Sequence, residues 1–159
     1  MIKILKFFFL AFLLLPSGRL VADEATCYMS PDGLYCVYFD NASGEYMMHD
    51  MRLDFTYSLT ENVEDGFIAS RKPLWRADSR YVYISGAYDI WQFDITRGYS
   101  PKKITKRHGK PLKYEIVTVD GLVPAIFPIQ LTYYNTFTGE KGQAEFHMRK
   151  NKLITKKVK

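Results

Sequence analysis

The sequence has few of the residues and patterns on which enzyme catalysis usually depends. Only three of its 159 residues are histidines, and His49, His108 and His147 stand in unrelated segments. None of them belongs to a His-Glu-x-x-His pattern, and no Gly-x-Ser-x-Gly sequence marks a serine nucleophile. Because no nucleophile has an evident base, we expect a protein that is not an enzyme.

Paired carboxylates, which are the catalytic groups of most glycoside hydrolases, find little support in the sequence. The candidates are Asp78, Asp89 and Asp94. Aspartate is common in turns, where its carboxylate accepts hydrogen bonds from the backbone. We therefore interpret all three as turn and strand-end residues.

The sequence also lacks an apolar run near its start that is long enough to cross a membrane. The run Phe7–Leu15 is too short, since a helix needs about 20 residues to span ~30 Å of hydrocarbon. Lys3 and Lys6 precede this run, and the small residue Ala22 follows it. This arrangement predicts a secretory signal peptide at residues 1–22. We therefore expect a periplasmic protein with no stable membrane insertion after the signal is cleaved.

Little net charge remains once the predicted signal peptide is removed. The full chain has 22 basic and 17 acidic residues, a formal net charge of +5. Lys3, Lys6 and Arg19 leave with the signal, so 19 basic and 17 acidic residues remain, a net charge of +2. Nucleic acid is therefore not an expected partner. Residues 23–159 are predicted to form a single domain, because no long polar linker divides them.

Basic residues nevertheless cluster in two segments. The first cluster contains Lys102, Lys103, Lys106, Arg107, His108, Lys110 and Lys113. The second, a C-terminal tail, contains Arg149, Lys150, Lys152, Lys156, Lys157 and Lys159. Such clusters favour binding to an anionic envelope polymer or an acidic protein surface, although lysines at a sheet edge also discourage aggregation between strands. The acidic segment 61–65 argues against one continuous positive face.

Cysteine is scarce, and the two cysteines flank a turn. Cys27 and Cys36 are equally distant from the centre of the segment Ser30–Gly33. In an antiparallel hairpin, residues so placed face each other at ~4.5 to 5.5 Å between Cα atoms, which suits a disulfide. In the oxidising compartment expected after export, we predict a disulfide between them. A redox or metal-binding pair would need closer spacing or further ligands.

A copper site is a further alternative for an exported protein. Met47, His49 and Met51 alternate along one predicted strand, and thioether and imidazole groups are suitable copper ligands. Methionine in a strand more often packs in a core. His49 also occupies the position that Phe93 fills in the second copy of the repeat described below. We therefore predict no metal and no cofactor.

Alternation of apolar and polar residues with a period of two dominates the chain after the signal, and no stretch shows helical periodicity. Turn residues separate the alternating segments, which are rich in the 2 Trp, 12 Tyr and 11 Phe of the chain. The predicted strands are Leu34–Asp40, Glu45–Met51, Leu53–Leu59, Tyr81–Ser85, Asp89–Ile95, Tyr114–Val119, Pro128–Asn135, Gln143–Met148 and Leu153–Lys157. The sequence therefore predicts an all-β fold.

A repeat of about 45 residues organises these strands. Met29–Tyr35 matches Trp75–Tyr81, and Glu45–Met51 matches Asp89–Ile95. A fainter third copy includes Leu131–Asn135. Repeats of this length that hold several strands are typical of propeller blades. Three copies are too few to close a ring, because complete propellers have four to eight blades.

Four segments carry a resemblance to a known family, namely Ser30–Gly33, Tyr81–Gly86, Asp89–Gly98 and Lys103–Thr105. They resemble blades of TolB-type β-propellers, which belong to the wider WD-like group. The resemblance implies a partial, open propeller of about three antiparallel blades near residues 27–60, 73–105 and 114–148. Segments 61–72 and 106–113 break the regular spacing. The sheet edges of such an open propeller are either covered by the terminal strands or available to a partner.

A second resemblance comes from the layout of a signal peptide, a domain of this length, a Trp-containing strand, a Ser-Gly hairpin and an aromatic-Asp strand. This layout is similar to that of exported immunity proteins that neutralise peptidoglycan amidases of type VI secretion. The resemblance implies that a hairpin enters the amidase active-site cleft. The matching residues are Ser85, Gly86, Ala87, Tyr88 and Asp89. Gly86 permits close approach, and Tyr88 is a rigid anchor where the family usually has small polar residues.

These resemblances predict an exported, non-enzymatic protein that binds a secreted peptidoglycan hydrolase and occludes its active site. Two alternatives remain open. The hairpin at residues 85–89 is also compatible with an ordinary tight turn within a blade. The basic clusters suit an envelope scaffold or a module that binds an anionic polymer.

Overall fold

The computed structural model describes residues 26–68, 70–87, 89–96, 98–105 and 111–157. The predicted signal peptide at residues 1–22 lies outside these ranges. Within them, no helix has the length and apolar character that a membrane span requires. The strands that follow form three separate sheets of four strands each.

Each sheet is an antiparallel meander in which strands adjacent in sequence are also paired in space. The first sheet, blade 1, contains β1 Tyr28–Met29, β2 Tyr35–Asp40, β3 Glu45–Asp50 and β4 Phe55–Ser58. The second, blade 2, contains β5 Leu74–Trp75, β6 Tyr81–Ser85, β7 Ile90–Asp94 and β8 Pro101–Lys103. The third, blade 3, contains β9 Leu112–Ile116, β10 Ile129–Asn135, β11 Lys141–His147 and β12 Lys152–Lys157. The all-β, open propeller-like fold predicted from the sequence is confirmed.

All nine predicted strands are present, with bounds that move by a few residues, and β6 matches its prediction at both ends. Three strands were missed: β1, β5 and β8. Each has only two or three residues, too few to display a period of two. Blade 3 also extends beyond the predicted repeat, because β12 completes its sheet. A 3₁₀ turn at Met148–Lys150 connects β11 to β12.

Blade 2 lies between the other two blades, and two hydrophobic cores hold the stack together. The core between blades 1 and 2 contains Val37, Tyr46, Met48, Leu59, Trp75, Val82, Ile84, Phe93 and Ile95. The core between blades 2 and 3 contains Tyr81, Tyr83, Ile90, Ile104, Val123, Ile129, Leu131, Tyr133, Ala144 and Phe146. Successive residues of β6 alternate between these two cores, since neighbours in a strand point to opposite faces. Both faces of blade 2 are therefore buried, and the arc exposes one face of blade 1 and one face of blade 3.

Cys27 and Cys36 form a disulfide, as predicted, with a Cα–Cα distance of 5.6 Å. The predicted register is wrong by two residues, because Cys36 pairs with Met29 rather than with Cys27. The turn starts later than expected: the Ser30 amide donates to the Tyr35 carbonyl oxygen at 2.8 Å. The disulfide therefore joins two residues that are not cross-strand partners, and Cys27 lies directly before the two-residue strand β1.

The meander topology places two kinds of connection at one end of every blade. When four antiparallel strands follow one another, the turn between the second and third strands and the exit from the fourth strand lie at the same end. We call this end the upper rim. It contains the turns after Asp40, Ser85 and Asn135, together with the linker 59–73 between blades 1 and 2.

Candidate partner-binding site

Two of the three equivalent turns at the upper rim are capped by their own residues. Asp40 accepts hydrogen bonds from the amides of Ala42 and Ser43, both at 3.1 Å. Gly44, at φ 74°, closes this turn by donating to the Asp40 carbonyl oxygen at 2.8 Å. Such turns need no support from elsewhere in the chain.

The turn between β10 and β11 has the same design. The side-chain oxygen of Asn135 accepts from the amides of Phe137 and Thr138, at 2.9 and 3.1 Å. Gly139, at φ 73°, donates to the Asn135 carbonyl oxygen at 2.9 Å. An Asp or Asn at the strand end and a Gly four residues later therefore define the pattern.

The turn between β6 and β7 departs from this pattern, and it is the hairpin that sequence analysis singled out. Through the repeat, Gly86 and Asp89 correspond to Asp40 and Glu45, so this turn is two residues shorter, and the Gly86 amide closes it by donating to the Asp89 carbonyl oxygen at 2.8 Å. The Ala87 amide donates to the Gly66 carbonyl oxygen of the linker at 2.6 Å. The hairpin is therefore supported by the linker between blades 1 and 2.

Asp65 in the same linker packs directly against the hairpin. Its carboxylate accepts a hydrogen bond from the indole nitrogen of Trp91 at 2.8 Å and lies 3.4 Å from the Asp89 amide. A Cβ atom at Gly86 would overlap Asp65 Oδ2. A larger residue at position 86 would therefore force the Asp65 side chain to move away from Trp91.

Asp89 is buried and holds the edge strand of blade 2. The Thr105 hydroxyl donates to Asp89 Oδ1 at 2.8 Å and accepts from the Ile90 amide at 2.9 Å. Lys103 Nζ lies 3.1 Å from Asp89 Oδ2. These contacts give Asp89 a structural role within the blade.

Blade 1 contains the matching threonine contact, which sequence analysis missed. The Tyr46 amide donates to the Thr60 hydroxyl at 3.0 Å, as Ile90 does to Thr105. The aliphatic-Thr pairs at residues 59–60 and 104–105 are spaced by the length of the repeat. This spacing was a signal that locates the end of the fourth strand in blades 1 and 2.

The linker is also fastened at its far end, by Tyr46 of blade 1. The Tyr46 hydroxyl lies 2.9 Å from the carbonyl oxygen of Ile68 and also contacts that of Arg71. Its ring packs edge-to-face on Phe67 at 6.0 Å. Burial raises the pKa of Tyr46 to about 12, so the hydroxyl remains protonated and able to donate at neutral pH. Linker and hairpin therefore form one supported unit.

The structure places the predicted site residues in different environments. Ala87 is exposed and Ser85 is half-buried, whereas Gly86 and Asp89 are buried. Tyr88 lies outside the described residues. Partner binding by this hairpin stays a prediction, and Ala87 is the position at which it is tested most directly.

The first basic cluster is partly engaged within the domain. Besides its contact with Asp89, Lys103 Nζ lies 4.8 Å from the centroid of the Trp91 ring. Lys102 Nζ lies 5.5 Å from the Phe146 ring. The members at positions 106–110 lie outside the described residues, while Lys113 is exposed. The charge of this cluster is therefore not gathered into one free surface among the residues described.

The outward face of blade 1 is a second candidate surface. Its residues Met47 and His49 correspond through the repeat to Trp91 and Phe93, which lie on the face that blade 2 turns towards blade 1. His49 Nδ1 lies 2.9 Å from the Thr56 hydroxyl. Within the described ranges, no group of three or more His, Cys, Asp or Glu side chains is suited to hold a metal ion.

The candidate carboxylates have separate basic partners. Asp78 pairs with Arg76, whose hydrogen bond lowers the pKa of Asp78. Asp94 pairs with Arg80 at 3.0 Å. Burial raises the pKa of Asp94, but hydrogen bonds from Arg80 and Thr96 outweigh burial and lower it overall. Both carboxylates are ionised and bound in turns, so neither is poised as a general acid.

Comparisons with known proteins bear on the fold. No family model matches the sequence, and no curated protein matches it. Among solved structures, the chain is similar to TolB from Acinetobacter baumannii, with 13% identity and a TM-score of 0.50 over 82% of this chain and 31% of that one. It is also similar to a putative TolB from Agrobacterium tumefaciens, with 17% identity and a TM-score of 0.50 over 82% of this chain and 48% of that one. The chain spans less than half the length of either structure, and the similarity supports a TolB-like propeller fold.

The contact between Gly86 and Asp65 leads to a testable coupling. We expect Gly86→Ala to destabilise the domain by about 1 to 3 kcal/mol, because the added Cβ displaces the carboxylate from Trp91. In an Asp65→Ala background the same change should cost less than about 0.5 kcal/mol. Urea denaturation of the four variants in the cycle measures both values. Additive effects would show that the two residues are not in contact.

Proposed function

We propose that this chain is an exported, non-enzymatic binding protein that inhibits a periplasmic cell-wall-degrading toxin, with a peptidoglycan amidase as the expected target. The observation that carries the proposal is the hairpin after Ser85. It lacks the Asp or Asn and Gly caps of the two equivalent turns, and besides its own Gly86–Asp89 hydrogen bond it is held by contacts with a separate linker.

External support of this kind favours tight binding by a protein inhibitor. A loop that enters an active-site cleft loses less conformational entropy on binding when it is held in its bound shape beforehand. The hairpin meets this condition through Asp65 and Gly66, and Ala87 at its tip is exposed. The similarity in layout to amidase immunity proteins suggests that the bound protein is a peptidoglycan amidase.

Inhibition assays test the proposal directly. Residues 23–159 are mixed with purified type VI peptidoglycan amidases, and hydrolysis of peptidoglycan is followed against inhibitor concentration. A stoichiometric loss of activity with one amidase is the expected result. If every amidase keeps its activity in the presence of excess inhibitor, the proposal is wrong.

Replacement of Ala87 tests the position of the binding surface. We expect Ala87→Arg to weaken inhibition by at least about tenfold, because a long charged side chain at the hairpin tip blocks close approach to the cleft. Ala125→Arg, the same change at an exposed position in the loop between β9 and β10, is the matched control. Thermal unfolding checks that both variants fold. Equal inhibition by the two variants would place the binding surface elsewhere.

A specific feature of blade 3 favours the second candidate function, an envelope module that binds an anionic polymer. A groove of about 890 Å³ is lined in part by Lys113, Tyr134 and Lys141, together with one carboxylate, that of Glu115. Cations beside an aromatic ring suit a carboxylated glycan. Salt-sensitive retention on purified peptidoglycan, without inhibition of any amidase, would favour this function.

A further inference from the structure

The two outward faces of the propeller arc carry opposite charges at the upper rim. On blade 1, Asp40 and Glu45 are direct cross-strand partners at the upper ends of β2 and β3. On blade 3, Lys113 and Lys141 both pair with Tyr134, one on each side, at the upper end of β10. The acidic pair and the basic pair therefore lie at the same height on the two free faces.

The acidic charge on blade 1 persists over a wide pH range. Hydrogen bonds from the Ser43 side chain and from the backbone amides of Ala42 and Ser43 lower the pKa of Asp40. On blade 3, Lys113 and Lys141 are both exposed. Blade 1 therefore presents an acidic pair at its upper end and blade 3 a basic pair, with Glu115 two residues below Lys113 on the same face.

The outward face of blade 1 also carries residues whose equivalents in blade 2 pack against a neighbouring blade. Along β3 it contains Met47 and His49, and β1 and β2 add Met29 and Tyr38. Through the repeat, Met29 corresponds to Trp75, which is only 3% exposed in the core against blade 1. Each blade thus turns this face towards the preceding blade of the stack, and blade 1 has no preceding blade among the described residues.

We propose that the occupant of this face is blade 3 of a second copy of the chain. Two copies then associate head to tail, so that Asp40 and Glu45 of each copy contact Lys113 and Lys141 of the other. Both contacts form at once under a two-fold axis, and the two arcs close into a ring. Two arcs of three blades supply six blades, within the four to eight of complete propellers.

The area available is sufficient for a stable dimer. At ~3.3 Å per residue and ~4.8 Å between strands, the strand lengths of the two blades give faces of roughly 300 Å² for blade 1 and 400 Å² for blade 3. Two contacts, each with one face of each kind, bury roughly 1,400 Å², which is within the size range of a standard protein interface. Because the face of blade 3 is polar, with Thr132 and Gln143 beside the lysines, we expect association to weaken as salt increases.

Ring closure does not involve the upper-rim hairpin after Ser85, so this inference is independent of the proposed function. A dimer is possible whether or not the hairpin binds an amidase. Conversely, a monomer retains the hairpin and its support from the linker. The two proposals can therefore fail separately.

Charge reversal tests the dimer. Sedimentation equilibrium of residues 23–159 at low ionic strength should show a monomer–dimer equilibrium. Glu45→Lys and Lys141→Glu should each weaken dimerisation by at least about tenfold, and the chain that carries both changes should recover it, because the swapped charges again attract. Glu64→Lys, in the linker and outside both faces, is the matched control and should leave the equilibrium unchanged.

The outcomes separate the possible arrangements. Recovery in the double variant, with association that weakens at high salt, supports the head-to-tail ring. A chain that remains monomeric at every concentration overturns it. A dimer that is weakened by Glu45→Lys but not by Lys141→Glu also overturns it, since it would join two copies through blade 1 alone.

Discussion

Tyr46→Ala should lower the free energy of unfolding by about 3 to 5 kcal/mol, the range for removing a large aromatic side chain from a core. Tyr46 is fully buried. Its ring packs on Phe39 at 5.0 Å and on Phe67 at 6.0 Å. The change therefore leaves a cavity between blade 1 and the linker. Since whole domains are stable by about 5 to 15 kcal/mol, the midpoint of urea denaturation should fall markedly.

Tyr46→Phe is the matched control, because it keeps the ring and removes only the hydroxyl. We expect a loss of about 1 to 2 kcal/mol, since the carbonyl oxygens of Ile68 and Arg71 lose their donor. Amide hydrogen exchange should become faster in the linker and remain unchanged in blade 3. If the Ala and Phe variants were equally stable, ring packing would contribute nothing and our account of this core would be wrong.

The same tyrosine connects the fold with the candidate site. It lies in the core between blades 1 and 2 and also fastens the linker whose other end supports the hairpin after Ser85. The linker is the segment that interrupts the repeat between blades 1 and 2. In the structure it folds over the hairpin of the next blade, so the irregular spacing marks the place where the domain departs from a plain propeller.

Much of the fold could be predicted from the sequence because its signals are local. Alternation identifies every strand of four or more residues, and the match between Met29–Tyr35 and Trp75–Tyr81 identifies the blades. Strands of two or three residues show no period. The register of the first hairpin was misjudged because β1 has only two paired residues, too few for an alternating pattern to fix the register.

The candidate site could be predicted only in part. A Ser-Gly sequence before an aromatic strand located the hairpin, but its support comes from residues distant in sequence. Asp65 is 24 and 26 residues from its partners Asp89 and Trp91. No local sequence pattern predicts such a contact. The acidic segment 61–65 was interpreted only as an argument against one continuous positive face. The overlap that a side chain at position 86 would make is likewise evident only from the position of Asp65 in the structure.

The second large effect on stability is expected when the disulfide is removed. Replacing Cys27 and Cys36 together by Ala should lower the free energy of unfolding by about 2 to 3 kcal/mol, because the closed loop restricts the unfolded chain. The two cysteines are nine residues apart, so the loop is short and the effect lies at the lower end of the usual range. The midpoint of urea denaturation measures the loss.

The consequences for the folded state should be concentrated in β1. This strand has only two cross-strand pairs, with Cys36 and Val37. From blade 2, the Trp75 indole donates to the Tyr28 carbonyl oxygen at 2.9 Å. Without the disulfide, we expect faster amide exchange in β1 while blade 3 is unchanged. Wild-type protein treated with a reductant should match the double variant; if reduction left its denaturation midpoint unaltered, the loop would not stabilise the domain.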